Sequence, residues 1–162
     1  MDLKCLQALI NCNDNDDLYL TIKTKTAKYF TYCINQVSDD LINVKALSGR
    51  NNTSDYAYVG FITKCGFNSA TRFAGTRLGK AADVFKDLWN VSPAEYPRGF
   101  KVYKATVCSV CGKLLTKPNS IECCVGEKCA HKLQLIPGHA EYTPRRGVGP
   151  QRSFNEAYKD VN

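Results

Sequence analysis

Five cysteines crowd into one short segment, and they are the residues of this chain best suited to chemistry. Within 22 residues the segment holds Cys108, Cys111, Cys123, Cys124 and Cys129. The first two are separated by two residues, and Gly112 follows them at once. In such a knuckle both sulfur atoms face one point, and glycine permits the positive φ that the tight turn requires. Zinc prefers a tetrahedron of four ligands, with thiolate sulfur at about 2.3 Å, so a second pair must come from elsewhere.

The second pair of ligands is predicted from the residues that follow the knuckle. Residues 127–133 can begin a helix, and the thiolate of Cys129 in its first turn would gain from the helix dipole and the free amides. For the fourth position Cys124 is preferred, and Cys123 and His131 are the alternatives. Four protein ligands close a site, as in structural zinc centres, whereas catalytic zinc keeps a position open for water. The predicted ligands of one structural Zn²⁺ are therefore Cys108, Cys111, Cys124 and Cys129.

Redox chemistry and disulfide bonding are the competing uses of these thiols. A thioredoxin-type C-x-x-C opens a helix inside a βαβ unit, but here residues 100–106 before the pair and Leu114 and Leu115 after it are strand-like. The chain has nine cysteines, an odd number that cannot pair completely, and it begins without a secretory-type apolar segment. No apolar run approaches the 18 or so residues of a membrane span. We therefore expect reduced thiols, a cytoplasmic location and no membrane partner.

Short alternating segments ahead of the cysteines predict the β-sheet that must position them. The first alternates apolar and polar side chains, and the second is rich in aromatic and β-branched residues. Five strands are predicted, over residues 18–23, 29–34, 41–47, 55–64 and 69–73. Residues 66–68 are predicted as a turn. In the fourth strand, alternation places Tyr56, Tyr58 and Ile62 on one face.

Helices are predicted on either side of this meander in the sequence. Residues 81–90 carry an apolar stripe that includes Phe85 and Trp89, and residues 2–11 form a shorter helix. A helix laid across one face of an antiparallel meander is the simplest architecture. The predicted fold class is therefore α+β. It comprises a small antiparallel β-meander with a packed helix, a treble-clef or zinc-ribbon-like zinc module, and a mobile C-terminal tail.

Prolines and glycines mark the boundaries between these parts. Residues 91–99 contain two prolines and one glycine, and the chain beyond Ile136 has three prolines and three glycines within 15 residues. The predicted domains are a β-rich module over residues 1–92, a zinc-binding module over residues 98–135 and an extended tail over residues 136–162.

The cysteine segment resembles a domain family of unknown function that is common in bacteriophages, prophages and mobile elements. The residues that match its pattern are Cys108, Cys111, Gly112, Leu115, Thr116, Pro118, Ser120, Ile121, Gly126 and Cys129. Residues 29–32 and 55–60, and the helix with Phe85 and Trp89, are similar to the β-rich module that often precedes this motif. The resemblance spans roughly residues 18–133. It implies a phage-type accessory protein in the cytoplasm of a bacterial host, and it supplies no activity.

The chain departs from that family where the fourth ligand is expected. Family members often carry arginine and glycine where this chain has Cys123 and Cys124, and many have proline in place of Glu127. The resemblance therefore does not assign the fourth ligand.

Positive charge is concentrated in the second half of the chain. The protein carries a net charge of +7, and residues 98–162 hold 11 Lys and Arg against 5 Asp and Glu. The predicted nucleic-acid contacts are Lys101, Lys104, Lys113, Lys117, Lys128, Lys132, Arg145, Arg146 and Arg152. Contacts of this type neutralise phosphates without reading sequence, and they weaken as salt rises. Sequence-independent binding of DNA or RNA is thus the first functional prediction.

Docking on a host protein complex, such as a polymerase, nuclease or defence system, is the alternative prediction. Aromatic strand residues and a tail that orders on binding suit such a role. The aromatic residues at issue are Tyr29, Phe30, Tyr32, Tyr56 and Tyr58. They could also stack on bases, but we expect most of them to fill the core or cover the sheet. No enzymatic activity or small-molecule substrate is predicted, because the chain has only two histidines and no catalytic motif.

Overall fold

An antiparallel sheet of six strands runs through the centre of the computed structural model. The structure describes residues 17–89, 91 and 95–133, together with Leu6 and Ile10. The strands are β1 (Leu18–Lys23), β2 (Tyr29–Ser38), β3 (Leu41–Leu47), β4 (Tyr56–Thr63), β5 (Gly66–Ser69) and β6 (Lys101–Lys104). Their order is β5-β4-β3-β2-β1-β6, so the first five form a meander and β6 returns to pair with β1. The predicted α+β class with an antiparallel sheet is confirmed.

Helical segments lie before and after β6 in the chain. They are a 3₁₀ turn (Thr71–Phe73), α1 (Arg77–Trp89), α2 (Pro118–Glu122) and α3 (Glu127–Lys132). The predicted helix over residues 81–90 is confirmed and begins one turn earlier. Proline is the first residue of α2, where its missing amide hydrogen costs no helical hydrogen bond.

The predicted turn at residues 66–68 and strand at residues 69–73 are wrong. Residues of β5 occupy positions 66–69, and the chain is helical at 71–73. The actual turn is tighter, because Thr63 of β4 pairs directly with Gly66 of β5. Gly66 has a φ of +113°, which glycine adopts without steric cost.

The face of the sheet toward α1 carries the main hydrophobic core. Tyr32 of β2 is fully buried, and its hydroxyl donates a hydrogen bond to the carbonyl oxygen of Ala81 at 2.8 Å. The ring of Phe85 in α1 lies 5.2 Å from the ring of Tyr32 and 4.9 Å from that of Phe67. Burying one large apolar side chain contributes about 1.5–3 kcal/mol, so these contacts hold α1 on the sheet.

A β-bulge between β3 and β4 changes the predicted faces of the fourth strand. The register shifts beside Val44, and β4 supplies the extra residue, Val59. A one-residue shift moves the following side chains to the other face of a sheet. The prediction that Tyr56, Tyr58 and Ile62 share a face is therefore wrong, because Ile62 joins the core beneath α1.

The cysteine segment packs on the face of the sheet opposite α1. The hydroxyl of Thr21 in β1 donates to the carbonyl oxygen of Thr116 at 3.0 Å, and that of Thr31 in β2 reaches the same oxygen at 3.4 Å. The phenol of Tyr103 in β6 donates to a carboxylate oxygen of Glu122 at 2.8 Å. Both threonines are buried, so water does not compete for their hydrogen bonds.

Strand β6 connects the two hydrophobic clusters of the protein. It lies within the predicted zinc module of residues 98–135, and it pairs with β1 over four residue pairs. Val102 belongs to the core beneath α1, whereas the neighbouring Tyr103 packs against the cluster that contains the cysteines. The two clusters therefore meet at opposite faces of one strand.

Parts of the predicted architecture lie outside the described residues. Of the predicted helix over residues 2–11, the structure describes Leu6 and Ile10, and both are helical and buried. The predicted tail over residues 136–162 is not described. Within residues 17–89 and 95–133, no helix combines the length and apolar character that crossing a bilayer requires.

Candidate metal centre

Three cysteines form the one cluster of metal-binding side chains found among the described residues. The sulfur atoms of Cys108, Cys111 and Cys129 lie within 4.8 Å of one another. Cys108 and Cys129 are buried, with exposed fractions of 2% and 9%, whereas Cys111 is exposed. Converging thiols can hold a metal ion, because thiolate is a soft, anionic ligand. Three of the four predicted zinc ligands are thus brought together.

The knuckle around Cys108 has its own set of backbone hydrogen bonds. The amide of Gly112 donates to the carbonyl oxygen of Cys108, and the amide of Cys108 donates to that of Lys113, both at 2.8 Å. Gly112 has a φ of +69°, the positive value that the tight turn after a C-x₂-C pair requires. An antiparallel bridge between Val107 and Leu114 closes the loop. These bonds hold Cys108 and Cys111 on the same side of the turn.

Backbone amides point at the sulfur of Cys108 and favour its ionised form. The amide of Gly126 donates to this sulfur at 3.3 Å. That hydrogen bond is the main reason why the pKa of Cys108 falls to about 6, and the amides of Val110 and Cys111 lower it further. A thiolate is therefore available at Cys108 near neutral pH, which is the form that binds metal.

The pKa of Cys129 shifts in the opposite direction, because its thiol lies close to the other two thiols. Its pKa is raised to about 11 by its hydrogen bond to Cys111, by burial, and by the proximity of Cys108. Three sulfur anions this close would repel one another, so without a cation one of them keeps its proton. A divalent cation removes that repulsion. The donor set therefore fits a metal ion better than it fits three free thiolates.

The residues predicted for the fourth position are not part of this group. The thiol of Cys124 donates to the carbonyl oxygen of Ile121 at 3.6 Å, and its own carbonyl oxygen accepts a bond from the amide of Ser109 at 3.0 Å. Cys123 is partly buried and His131 is exposed on α3, and neither joins the cluster. The structure thus engages Cys124 in the loop that connects α2 to α3.

A small cluster of buried apolar side chains packs around two of the three thiols. Beside Cys108 and Cys129 it contains the buried residues Leu115, Ile121, Val125 and Ala130. Gly126 lies so close to this cluster that a β-carbon there would come within 3.3 Å of the side chain of Leu115. A side chain at Gly126 would therefore require Leu115 to shift by a few tenths of an ångström.

A basic groove opens over the three thiols, with a volume of about 460 Å³. The cysteine segment forms one wall, and the loop between β3 and β4 contributes to the other. Five cationic side chains line it: Arg50, Arg77, Lys113, Lys117 and Lys128. Glu127 is the one carboxylate among its lining residues, and it forms an ion pair with Lys117. This pairing raises the pKa of Lys117 and lowers that of Glu127.

A second cavity of about 480 Å³, which we term the side cavity, adjoins the basic groove. The two share four lining residues: Tyr29, Lys117, Ser120 and Glu127. The side cavity adds Lys23 and His131 to the positively ionisable groups. Basic side chains therefore continue from one cavity into the other.

The predicted nucleic-acid contacts fall into three groups. Lys113, Lys117 and Lys128 line the basic groove. Lys101, Lys104 and Lys132 are exposed on β6 and α3 but do not line either cavity, and Arg145, Arg146 and Arg152 lie outside the described residues.

Sequence reasoning missed three cations of the two cavities. These are Lys23, Arg50 and Arg77, which lie 31 or more positions before Cys108. They reach the site only because the sheet folds back under the cysteine segment. One long-range contact shows how: the side-chain amide of Asn52 donates to the carbonyl oxygen of Leu114 at 3.0 Å. No local sequence signal marks these residues.

Comparison with known proteins identifies no relative of this chain. No family model, no curated protein and no solved structure matches it. The functional argument therefore rests on the chemistry of the described residues.

Proposed function

We propose that this protein is a phage-type accessory protein that holds one structural zinc ion and binds nucleic acid without sequence preference. The observation that carries the proposal is the basic groove over the three thiols. Five cationic side chains and one carboxylate line this groove. An anionic polymer is the ligand that such a surface attracts most strongly.

Zinc is the metal that the donor set fits best. Thiolate ligands favour zinc over magnesium or calcium, which prefer oxygen. Cys108, Cys111 and Cys129 would hold the ion, and the amide of Gly126 would orient the sulfur of Cys108 by donating a hydrogen bond to it. All seven cysteines among the described residues are free thiols, which supports a reducing location such as the bacterial cytoplasm.

The charges of the groove remain available for phosphate groups. Among the described residues, ion pairs join Lys117 to Glu127 and Lys64 to Asp40, and none engages the other four cations of the groove. A zinc ion held by three thiolates would add a single negative charge, so the groove would stay positive. Releasing the counterions of the bound phosphates would then drive binding.

The proposal is tested by fluorescence anisotropy with zinc-loaded protein and a labelled oligonucleotide over a range of salt concentrations. Affinity should fall steeply with salt. The double variant Lys113→Gln/Lys128→Gln should bind several-fold more weakly and lower the magnitude of the salt slope by about 1 for each lysine. The matched control is Lys80→Gln/Lys86→Gln, which removes the same charge from the exposed side of α1. Equal loss in both variants would contradict a groove-specific contact.

Docking on a host protein is a second candidate function, and one surface feature favours it. Among the described residues, three of the four exposed large hydrophobic side chains lie within or beside the cysteine segment: Val107, Val110 and Leu133, each at least half exposed. Such side chains are typical of interface anchors. A pull-down from bacterial lysate, with and without nuclease, separates the two functions. A stoichiometric protein partner that survives nuclease treatment would support docking, and partners lost with nuclease would support the basic groove.

A further inference from the structure

The basic groove and the side cavity form one continuous path for a narrow ligand. Their volumes, about 460 and 480 Å³, are those of small-molecule sites, which span about 300–1,000 Å³. Because they share Tyr29 and Lys117, a ligand can extend from one into the other. A base can stack on an aromatic ring of this lining only where it is unstacked from its neighbours, as in a single strand. The bases of a duplex are already stacked on one another.

Tyr29 occupies the junction of this path and is flanked by cations. It begins β2 directly opposite Lys23 of β1, so both side chains lie on the face that carries the cysteine segment. Lys117 lines both cavities together with Tyr29, and the pKa of that amine is raised mainly by its ion-pair partner Glu127 and to a smaller degree by Tyr29. Tyr29 is half-buried, so part of its surface remains open to a ligand. An aromatic ring near ammonium groups is the arrangement that single-strand binders use.

We infer that the groove and the side cavity bind single-stranded nucleic acid, with a base stacked on Tyr29 and the neighbouring phosphates held by Lys23 and by the groove cations that have no ion-pair partner among the described residues. This inference rests on the proposed function and narrows its ligand to unpaired strands. Stacking tolerates any base, because every base has a π face, which agrees with binding that is independent of sequence. The cationic side chains of the basic groove then contact the phosphates of the part of the strand that lies over the metal centre.

The experiment compares one labelled 12-nucleotide strand, alone and annealed to its complement, by anisotropy with full-length zinc-loaded protein. The single strand should bind at least tenfold more tightly than the duplex. Tyr29→Ala should weaken single-strand binding about tenfold, as loss of one stacked base predicts, and leave the salt slope unchanged because no charge is removed. Tyr29→Phe should retain affinity, since it keeps the ring.

The control variant is Tyr58→Ala, which removes a tyrosine on the same face of the sheet that lines neither cavity. Circular dichroism checks that each variant is folded, and the comparison of single strand with duplex in the unmodified protein provides the test if Tyr29→Ala is not. Equal affinity for single strand and duplex, or no effect of removing the ring, overturns the inference and leaves the proposed function intact. Absence of binding to either form overturns both.

Discussion

Single residues with unusual backbone conformations shape the candidate metal centre. Gly112 and Cys124 both have positive φ, at +69° and +52°, and both lie in turns that position a sulfur atom or an amide near it. For glycine this conformation has no steric cost, whereas for a residue with a β-carbon the cost is about 1–2 kcal/mol. Gly112 therefore adopts its turn conformation without strain, whereas Cys124 adopts a strained one.

Gly112→Ala tests the knuckle. No atom lies within 4 Å of a β-carbon added there, so the expected cost of about 1–2 kcal/mol is purely conformational. The strained turn should shift the sulfur atoms of Cys108 and Cys111 relative to each other. Zinc affinity should therefore fall in a chelator competition assay. The control is Gly75→Ala, where φ is +77° and the space is also open, but which lies outside the cysteine segment. It should lower stability equally and leave zinc affinity unchanged.

Cys124→Gly tests the fourth ligand. Relief of the strained φ should stabilise the protein by about 1 kcal/mol in denaturant unfolding, because only a weak thiol hydrogen bond to Ile121 is lost. Zinc content by elemental analysis should stay at one per chain, since the sulfur of Cys124 lies outside the cluster of Cys108, Cys111 and Cys129. A loss of zinc in this variant, with zinc retained in Cys123→Ser, would identify Cys124 as the fourth ligand.

At the scale of elements, β1 and β2 form the floor on which the cysteine segment rests. Their two buried threonines contact each other, with the hydroxyls of Thr21 and Thr31 3.0 Å apart, and both reach the carbonyl oxygen of Thr116. The sequence does not show this contact, because Thr116 is 95 residues beyond Thr21.

Thr21→Val should weaken the contact between strands β1 and β2 and the cysteine segment. We term this contact the junction, and its backbone conformation should not change. The variant removes a buried hydrogen bond, which costs about 1–3 kcal/mol when its acceptor is left less well satisfied. A second change, Thr31→Val, should cost further stability, since the carbonyl oxygen of Thr116 then loses both donors. Urea unfolding measures both effects. Thr63→Val is the control, because that hydroxyl accepts one hydrogen bond, from the exposed turn at Cys65. A matching loss in the control would show that the threonine content of the strands, and not the junction, is responsible.

At the scale of the whole molecule, the thiols make stability depend on pH. The pKa of Cys108 is lowered from about 9 to about 6 in the folded, metal-free protein. A lowered pKa contributes stability that is present above the unfolded value and is lost as pH falls through the folded value. The raised pKa of Cys129, about 11, contributes stability below pH 9 that is lost as pH rises toward 11.

Metal-free protein should therefore gain stability from Cys108 as pH rises from about 6 to about 9. Tyrosines such as Tyr19, with a pKa of about 12, titrate above this window. Urea midpoints measured at several pH values provide the test, and Cys108→Ser should flatten the slope. A slope that persists in this variant would assign it to another group. Zinc affinity should also fall at low pH, since protons compete with the metal for sulfur.

Removing the metal should destabilise residues 105–133 more than the β-sheet. Hydrogen exchange after chelation should show reduced protection over residues 105–133, because only a small apolar cluster and a few hydrogen bonds to the rest of the protein remain to hold them. Strand β6 should keep its protection, since it pairs with β1 and Val102 lies in the main core. Loss of protection in β6 along with the cysteine segment would instead place the boundary of the metal-dependent unit before residue 101.

The sequence by itself determined the features that depend on near neighbours. Cys108 and Cys111 come together because the spacing of the knuckle and its glycine constrain the local backbone, and Cys129 joins them from the first turn of α3. Alternating side chains predicted most of the strands for the same reason, since side-chain direction repeats every two residues. The class of fold followed from these elements.

Only the tertiary structure decided which distant residues meet. The bulge beside Val44 reversed the face of Ile62, and the return of β6 to β1 placed the cysteine segment on the sheet. That placement brought Arg50 and Arg77 to the groove. Strand register and loop packing depend on the sum of many weak contacts across the whole sheet, and no local pattern of residues records that sum.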